Sequence, residues 1–144
     1  MTTSMSLYDP LKPFMADQFR VLHLHPRKDW HRIEASQEVV VTGHLEIVDL
    51  AREAQVPYET ISYAWDDAMQ RESVLLSGQP LDVPRSTCDA LRAVSKDGEV
   101  RVVWIDAICI NQEDLDERAH QLGVMSHIYQ SGQRDLFYIG SEDH

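Results

Sequence analysis

Phe19-Arg20-Val21-Leu22-His23-Leu24 alternates and then meets Pro26, the pattern of a strand closed by a proline. Residues 27–37 are charged and read as a loop. Glu38 to Asp49 is rich in β-branched residues, with Gly43 as a bend or bulge. Pro57 introduces a short apolar stretch, Tyr58 to Trp65, that ends in the carboxylates Asp66 and Asp67. Ser73 to Val83 reads as a hairpin with Ser77-Gly78 at its turn. Pro84 with Ser86 and Thr87 marks a helix start, Leu91 and Val94 follow on one face, and Asp97-Gly98 ends the helix.

The most informative stretch runs from Arg101 to Asp114. The apolar Val102-Val103-Trp104-Ile105 stops at Asp106, and after Ala107-Ile108-Cys109-Ile110 comes the polar cluster Asn111-Gln112-Glu113-Asp114. A buried strand, a loop and a capped helix start are predicted. In the helix, Leu115, Ala119, Leu122, Met125 and Tyr129 form a stripe spaced four, three, three and four, widened by Val124 and Ile128. Ser131-Gly132 ends it, and Leu136 to Gly140 forms a last strand. Strand, helix, strand, helix, strand in this half predicts parallel pairing with right-handed crossovers. The expected fold is α/β, with a central, mostly parallel sheet, flanking helices and an inserted β-hairpin. Residues 1–17 read as an N-terminal arm and 18–144 as a single domain. The end falls four residues after a strand, as in a fragment or a short form of something longer.

Composition narrows the function. The 144 residues are 43% hydrophobic, enough for a core. Thirteen Lys+Arg against 24 Asp+Glu give a net charge of −11, which disfavours the basic surface that nucleic-acid binding needs. No apolar run is long enough to span a bilayer and no secretory signal opens the chain. Cys88 and Cys109 are too few for a disulfide framework, consistent with a reducing, cytoplasmic setting.

Ligands bind at the carboxyl ends of strands in open α/β sheets. That makes Asp106, Asn111 and Gln112 candidates, since amides offer both donors and acceptors to ribose hydroxyls or a carboxamide. The same residues also serve as ordinary loop and cap groups. Tyr63 and Trp65 share one strand face beside Asp66 and Asp67 and could stack on a ring, or simply be core. Asp114, Glu117 or Arg118, and Gln121 are spaced to share one helix face, whether toward a cleft or toward solvent. His23 and His25 lack partners with metal spacing and read as surface histidines; no metal is predicted. Cys109 has no neighbour in sequence that would activate it and reads as a small buried residue.

Three of these stretches resemble the HET (heterokaryon incompatibility) domain of filamentous fungi. Tyr58 to Asp67, YETISYAWDD, is similar to the family's Y-E-A-L-S-Y-x-W-G-D. Val103 to Asp114, VWIDAICINQED, is similar to L-W-I-D-A-I-C-I-N-Q-x-D. Glu117 to Tyr129 matches E-R-x-x-Q-V-x-x-M-x-x-I-Y. Asp66 departs from the pattern, standing where the family has Gly, and this alters the charge and conformation expected of that loop. The resemblance implies self/non-self recognition ending in regulated cell death. It implies partnership with nucleotide-binding receptor-type proteins and self-association into a homo-oligomer. HET domains are remotely similar to Toll/interleukin-receptor (TIR) domains, which have a flavodoxin-like sheet and in some cases cleave NAD at the nicotinamide–ribose bond with a helix glutamate. By that likeness Glu117 is the catalytic candidate. Tyr63, Trp65, Asp67, Asp106, Asn111, Gln112, Arg118 and Gln121 are substrate-binding candidates, with NAD as substrate and no bound cofactor. The alternative is a non-enzymatic, self-associating signalling module.

Overall fold

The computed structural model describes residues 7–8, 18–33, 38–49, 56–64 and 70–139. Among them, a seven-stranded sheet runs in the order β7-β6-β4-β1-β8-β5-β9. Its strands are β1 (Gln18–Leu24), β4 (Thr42–Asp49), β5 (Glu59–Tyr63), β6 (Arg71–Leu76), β7 (Gln79–Pro84), β8 (Arg101–Trp104) and β9 (Asp135–Tyr138). The helices are α1 (Arg85–Val94), α2 (Asp106–Cys109) and α3 (Leu115–Ser131).

The sheet is mixed rather than mostly parallel. The pairs β5–β8, β5–β9 and β4–β6 run parallel, while β1–β4, β1–β8 and β6–β7 run antiparallel. Parallel order holds where helices make the connections: β8 and β9, joined through α2 and α3, both flank β5. It fails at β1, which lies between β4 and β8 and is antiparallel to both. β1 meets β4 only after the β2–β3 ribbon and meets β8 only after most of the chain, so neither antiparallel pairing is announced by a short connection of the kind that joins hairpin neighbours.

Three local expectations change. Residues 27–37 are not all loop, because β2 (His31–Ile33) pairs antiparallel with β3 (Glu38–Val40) as a separate ribbon. The β-rich stretch after it divides at Val41, so Gly43 is neither a bend nor a bulge. Gly43 sits inside the ladder, opposite Leu24 and beside Leu76. A Cβ there would meet the His23 carbonyl oxygen and Leu22 Cδ1 at 2.8 Å, so only glycine allows this close strand packing. The third change concerns α3. Leu115 and Leu122, the heart of the expected apolar stripe, are 72% and 65% exposed. The buried positions are Glu117, Gln121 and Ile128, a face one step round the helix that carries two polar side chains.

The hairpin forms as expected. Ser77 and Gly78 have φ of 51° and 81° and link Leu76 to Gln79, the positive-φ pair of a two-residue turn. Phe19, Val21, Leu22, Leu91, Val103, Trp104, Ile105, Ile108 and Ile128 belong to one buried core. At the amino-terminal edge of β5, Glu59 receives Arg101 and Arg134, each at 2.7 Å, which ties β5 to β8 and to the approach to β9.

Candidate functional site

Glu117 enters the molecule through the start of α3. Asp114 caps that helix, its side chain accepting the Glu117 amide at 3.1 Å, as a residue before a helix start does. The turn aims the Glu117 side chain inward, where it is 8% exposed. It meets Arg20 of β1, which is 1% exposed. Oε2 accepts from Nη1 at 2.6 Å and Oε1 from Nη2 at 2.9 Å. The Asn111 amide donates to Oε2 at 2.6 Å, and Arg20 Nη1 also reaches the Cys109 carbonyl at 3.3 Å. The Cys109–Asn111 segment, the head of α3 and β1 are thus locked together by one charge pair. A buried pair of this fork geometry is strong when complete and costly when halved. Tyr8 completes the shell, its ring 4.8 Å from the guanidinium carbon and its hydroxyl donating to the Ile108 carbonyl at 2.8 Å.

A second polar group gathers at the carboxyl ends of β5 and β8. Tyr63 ends β5 and Asp106 opens α2, two residues past β8. The Tyr63 hydroxyl lies 2.7 Å from the Thr87 hydroxyl of α1 and is near enough to Asp106 to favour its charged form. Burial holds the Asp106 carboxyl above its ordinary value, against the opposing pull of the Ala107 and Asp106 amides and of Tyr63. Burial likewise raises the Tyr63 phenol. Asp106 Oδ1 and the Trp104 indole nitrogen are buried with no hydrogen-bond partner among the described residues. Tyr129 of α3 stands edge-on to Trp104, with ring centroids 5.4 Å apart.

The motif loop borders a third feature. Gln112 Nε2 donates to the Asp106 and Ile110 carbonyls, and Asn111 Oδ1 accepts the Glu113 amide. On their outer side a cavity of about 420 Å3 opens toward the hairpin, with Asn111, Gln112 and Glu113 on one wall and Arg71, Leu81 and Asp82 on another. Glu117, Asp106 and Tyr63 do not line it.

The candidates therefore fall into three neighbouring groups. Glu117 and Gln121 point into the core, Gln121 donating to the Gln18 carbonyl at 2.9 Å. Tyr63 and Asp106 meet at the strand ends, and Asn111 with Gln112 rims the cavity. Arg118 is exposed on α3. Trp65 and Asp67, with Asp66, lie outside the described residues. Cys109 is fully buried, and burial pushes its thiol up to about 12. His23 does more than face solvent: its ring stacks on His44 at 4.5 Å, and His25 Nε2 lies 3.0 Å from His44 Nδ1. Among the described residues no group of three or more His, Cys, Asp or Glu is placed to hold a metal ion. No described helix is long and apolar enough to cross a membrane. Sequence reading missed Arg20, Thr87 and Tyr8. Arg20 had left a signal: a lone cation at an inner position of an otherwise apolar strand requires a buried anion.

Comparison with known proteins bears on these groups. Residues 58–144, more than half the chain, match the family model described as Heterokaryon incompatibility protein (HET). Among curated proteins, the Neurospora crassa "Heterokaryon incompatibility protein 6, OR allele" is 28% identical over 96 residues, 58% of this chain and 14% of that protein. The chain thus corresponds to a small part of that relative. No solved structure gives a significant match. The matched region contains the loop, the Asp106 corner and the whole of α3, and the chain belongs to the HET (heterokaryon incompatibility) family.

Proposed function

We propose that the chain is a signalling module of fungal self/non-self recognition, which converts an incompatible encounter into regulated cell death through self-association and contact with a nucleotide-binding receptor-type protein. The observation that carries this reading is the state of Glu117. Both its oxygens are committed to Arg20, and one also to the Asn111 amide. A carboxylate so neutralised has little to offer an oxocarbenium centre, and its present work is to hold the motif loop. Inducible expression of the full chain in a filamentous fungus tests the reading, alongside incubation of purified protein with NAD. Loss of viability without nicotinamide release supports it. Release of nicotinamide that Glu117→Ala abolishes overturns it.

A second reading, glycohydrolysis of NAD or a related nucleotide at a TIR-like site, is favoured by the Asp106 corner. A buried carboxylate with an open oxygen, beside Tyr63 and at the ends of parallel strands, occupies the position where α/β sheets bind ligands. Cleavage at the nicotinamide–ribose bond spreads positive charge over the ribose, and a preorganised carboxylate stabilises it. In this reading Glu117 acts once Arg20 releases it, and Asp106 and Asn111 orient the ribose. Gln112, Gln121, Arg118 and Asp67 contribute polar contacts, and Tyr63 or Trp65 stacks on a ring.

A further inference from the structure

We propose that Leu7 and Tyr8 plug a ligand cleft that ends on the Arg20 guanidinium, and that the cleft takes a planar aromatic group with a hydrogen-bond donor on its edge. Tyr8 is far from Ile108 in the chain, yet it donates to that carbonyl at 2.8 Å while its ring covers the Arg20 guanidinium at 4.8 Å. Leu7 lines two hollows at once. One is the cavity of about 420 Å3 beside Asn111 and Gln112; the other, of about 140 Å3, is bounded by Arg20, Leu45, Leu76 and Gln79. Leu7 is their shared wall. Leu7 is common to both linings and Tyr8 covers Arg20, so a cleft freed of the two side chains would run from the Asn111 cavity, itself in the size range of small-molecule sites, toward the face of Arg20.

The chemistry that Tyr8 now satisfies defines what can replace it. A guanidinium face attracts a flat π system. The Ile108 carbonyl requires a donor at the ring edge, and Leu81, Pro84 and Ala107 supply apolar walls. Both plug residues are only half-buried, and contacts of this kind open locally at far smaller cost than global unfolding. The inference deepens the reading above by naming what guards the Glu117 pair, and its test does not use cell death or nicotinamide release, so the two can fail separately.

The 144-residue chain carrying Leu7→Ser with Tyr8→Ala, and a second variant, Tyr8→Phe, provide the test. Two measurements are made: binding of 4-ethylphenol by ligand-observed NMR, and hydrogen exchange of the Asn111 amide. The double variant is expected to bind 4-ethylphenol at least about tenfold more tightly than the parent chain. The ligand then restores protection at Asn111. Tyr8→Phe keeps the ring and loses the donor, so Asn111 exchanges several-fold faster while the β1 and β8 amides stay protected. No gain in binding by a folded double variant overturns the proposal, as does unchanged Asn111 exchange in Tyr8→Phe. If the double variant does not fold, Tyr8→Phe decides: faster exchange confined to Asn111 and its neighbours supports a plug, and loss of protection throughout the chain identifies an ordinary core residue.

Discussion

At the scale of single residues, the molecule turns on charges placed out of water. Arg20 and Glu117 are each acceptable only because the other is present. Arg20→Met or Glu117→Leu alone leaves a buried ion without its partner and should destabilise the chain by about 3–5 kcal/mol. The double variant should lose clearly less than the sum of the singles, since no orphan charge remains. Urea unfolding of the four proteins measures this, and additive losses would contradict the pairing. Asp106 behaves in the opposite sense. Its folded pKa lies above the unfolded value, because burial opposes ionisation. The stabilising contribution is therefore present below the ordinary aspartate pKa of about 3.9 and is lost as pH rises through the folded value. Asp106→Asn keeps an acceptor for the Ala107 amide and removes the buried charge. It should raise the melting temperature at pH 7 by a few degrees, with the advantage shrinking toward pH 4. An unchanged difference across that range would place the cause elsewhere.

At the scale of elements, the turn chemistry and most strand positions were readable, while the β2–β3 ribbon and the faces of α3 were not. The Ser77-Gly78 turn follows from local rules alone. Nothing lies within 4 Å of a Cβ built on Gly78, so Gly78→Ala tests conformation without packing. It should cost about 1–2 kcal/mol, and Ser77→Asn, which suits positive φ better, should recover part of that in thermal unfolding. Helix α3 failed for a non-local reason. Periodicity assumes that the core side of a helix is apolar, but β1 presents Arg20 to the head of α3, and an inward Glu117 matches it. Leu115 and Leu122 were left outside, and only knowledge that β1 neighbours β8 could have revealed it. The mixed sheet was illegible for the same reason, because β1 pairs across a long stretch of sequence. The Asp106 corner was legible from the strand ends, whereas Thr87 was not, since it arrives from α1. One further element-scale expectation concerns Glu59, where hydrogen bonding from Arg101, aided by the charge of Arg134, holds the carboxyl below its ordinary value. That contribution is present above the unfolded pKa of about 4.3 and is lost as pH falls. Glu59→Gln should flatten the acid limb of the stability curve below pH 5 while lowering stability at pH 7. Hydrogen exchange at the start of β5 should report the same loss locally.

At the scale of the whole molecule, the net charge of −11 on 144 residues sets how copies of the chain meet. Like charges repel over roughly a Debye length, about 8 Å at physiological ionic strength and about 30 Å at 0.01 M. A signalling module that works by self-association must overcome this field, either by screening or by a cationic partner. Nucleic-acid binding depends on counterion release from a basic surface and runs the other way, weakening as salt rises. Sedimentation at a fixed protein concentration should therefore show the mean mass rising between 0.01 and 0.3 M NaCl if association is the working property. A short polycationic peptide should produce the same shift at low salt. Mass that stays monomeric throughout, together with nicotinamide release independent of protein concentration, would instead favour a self-sufficient enzyme, because catalysis confined to one chain has no need to bring these acidic surfaces together.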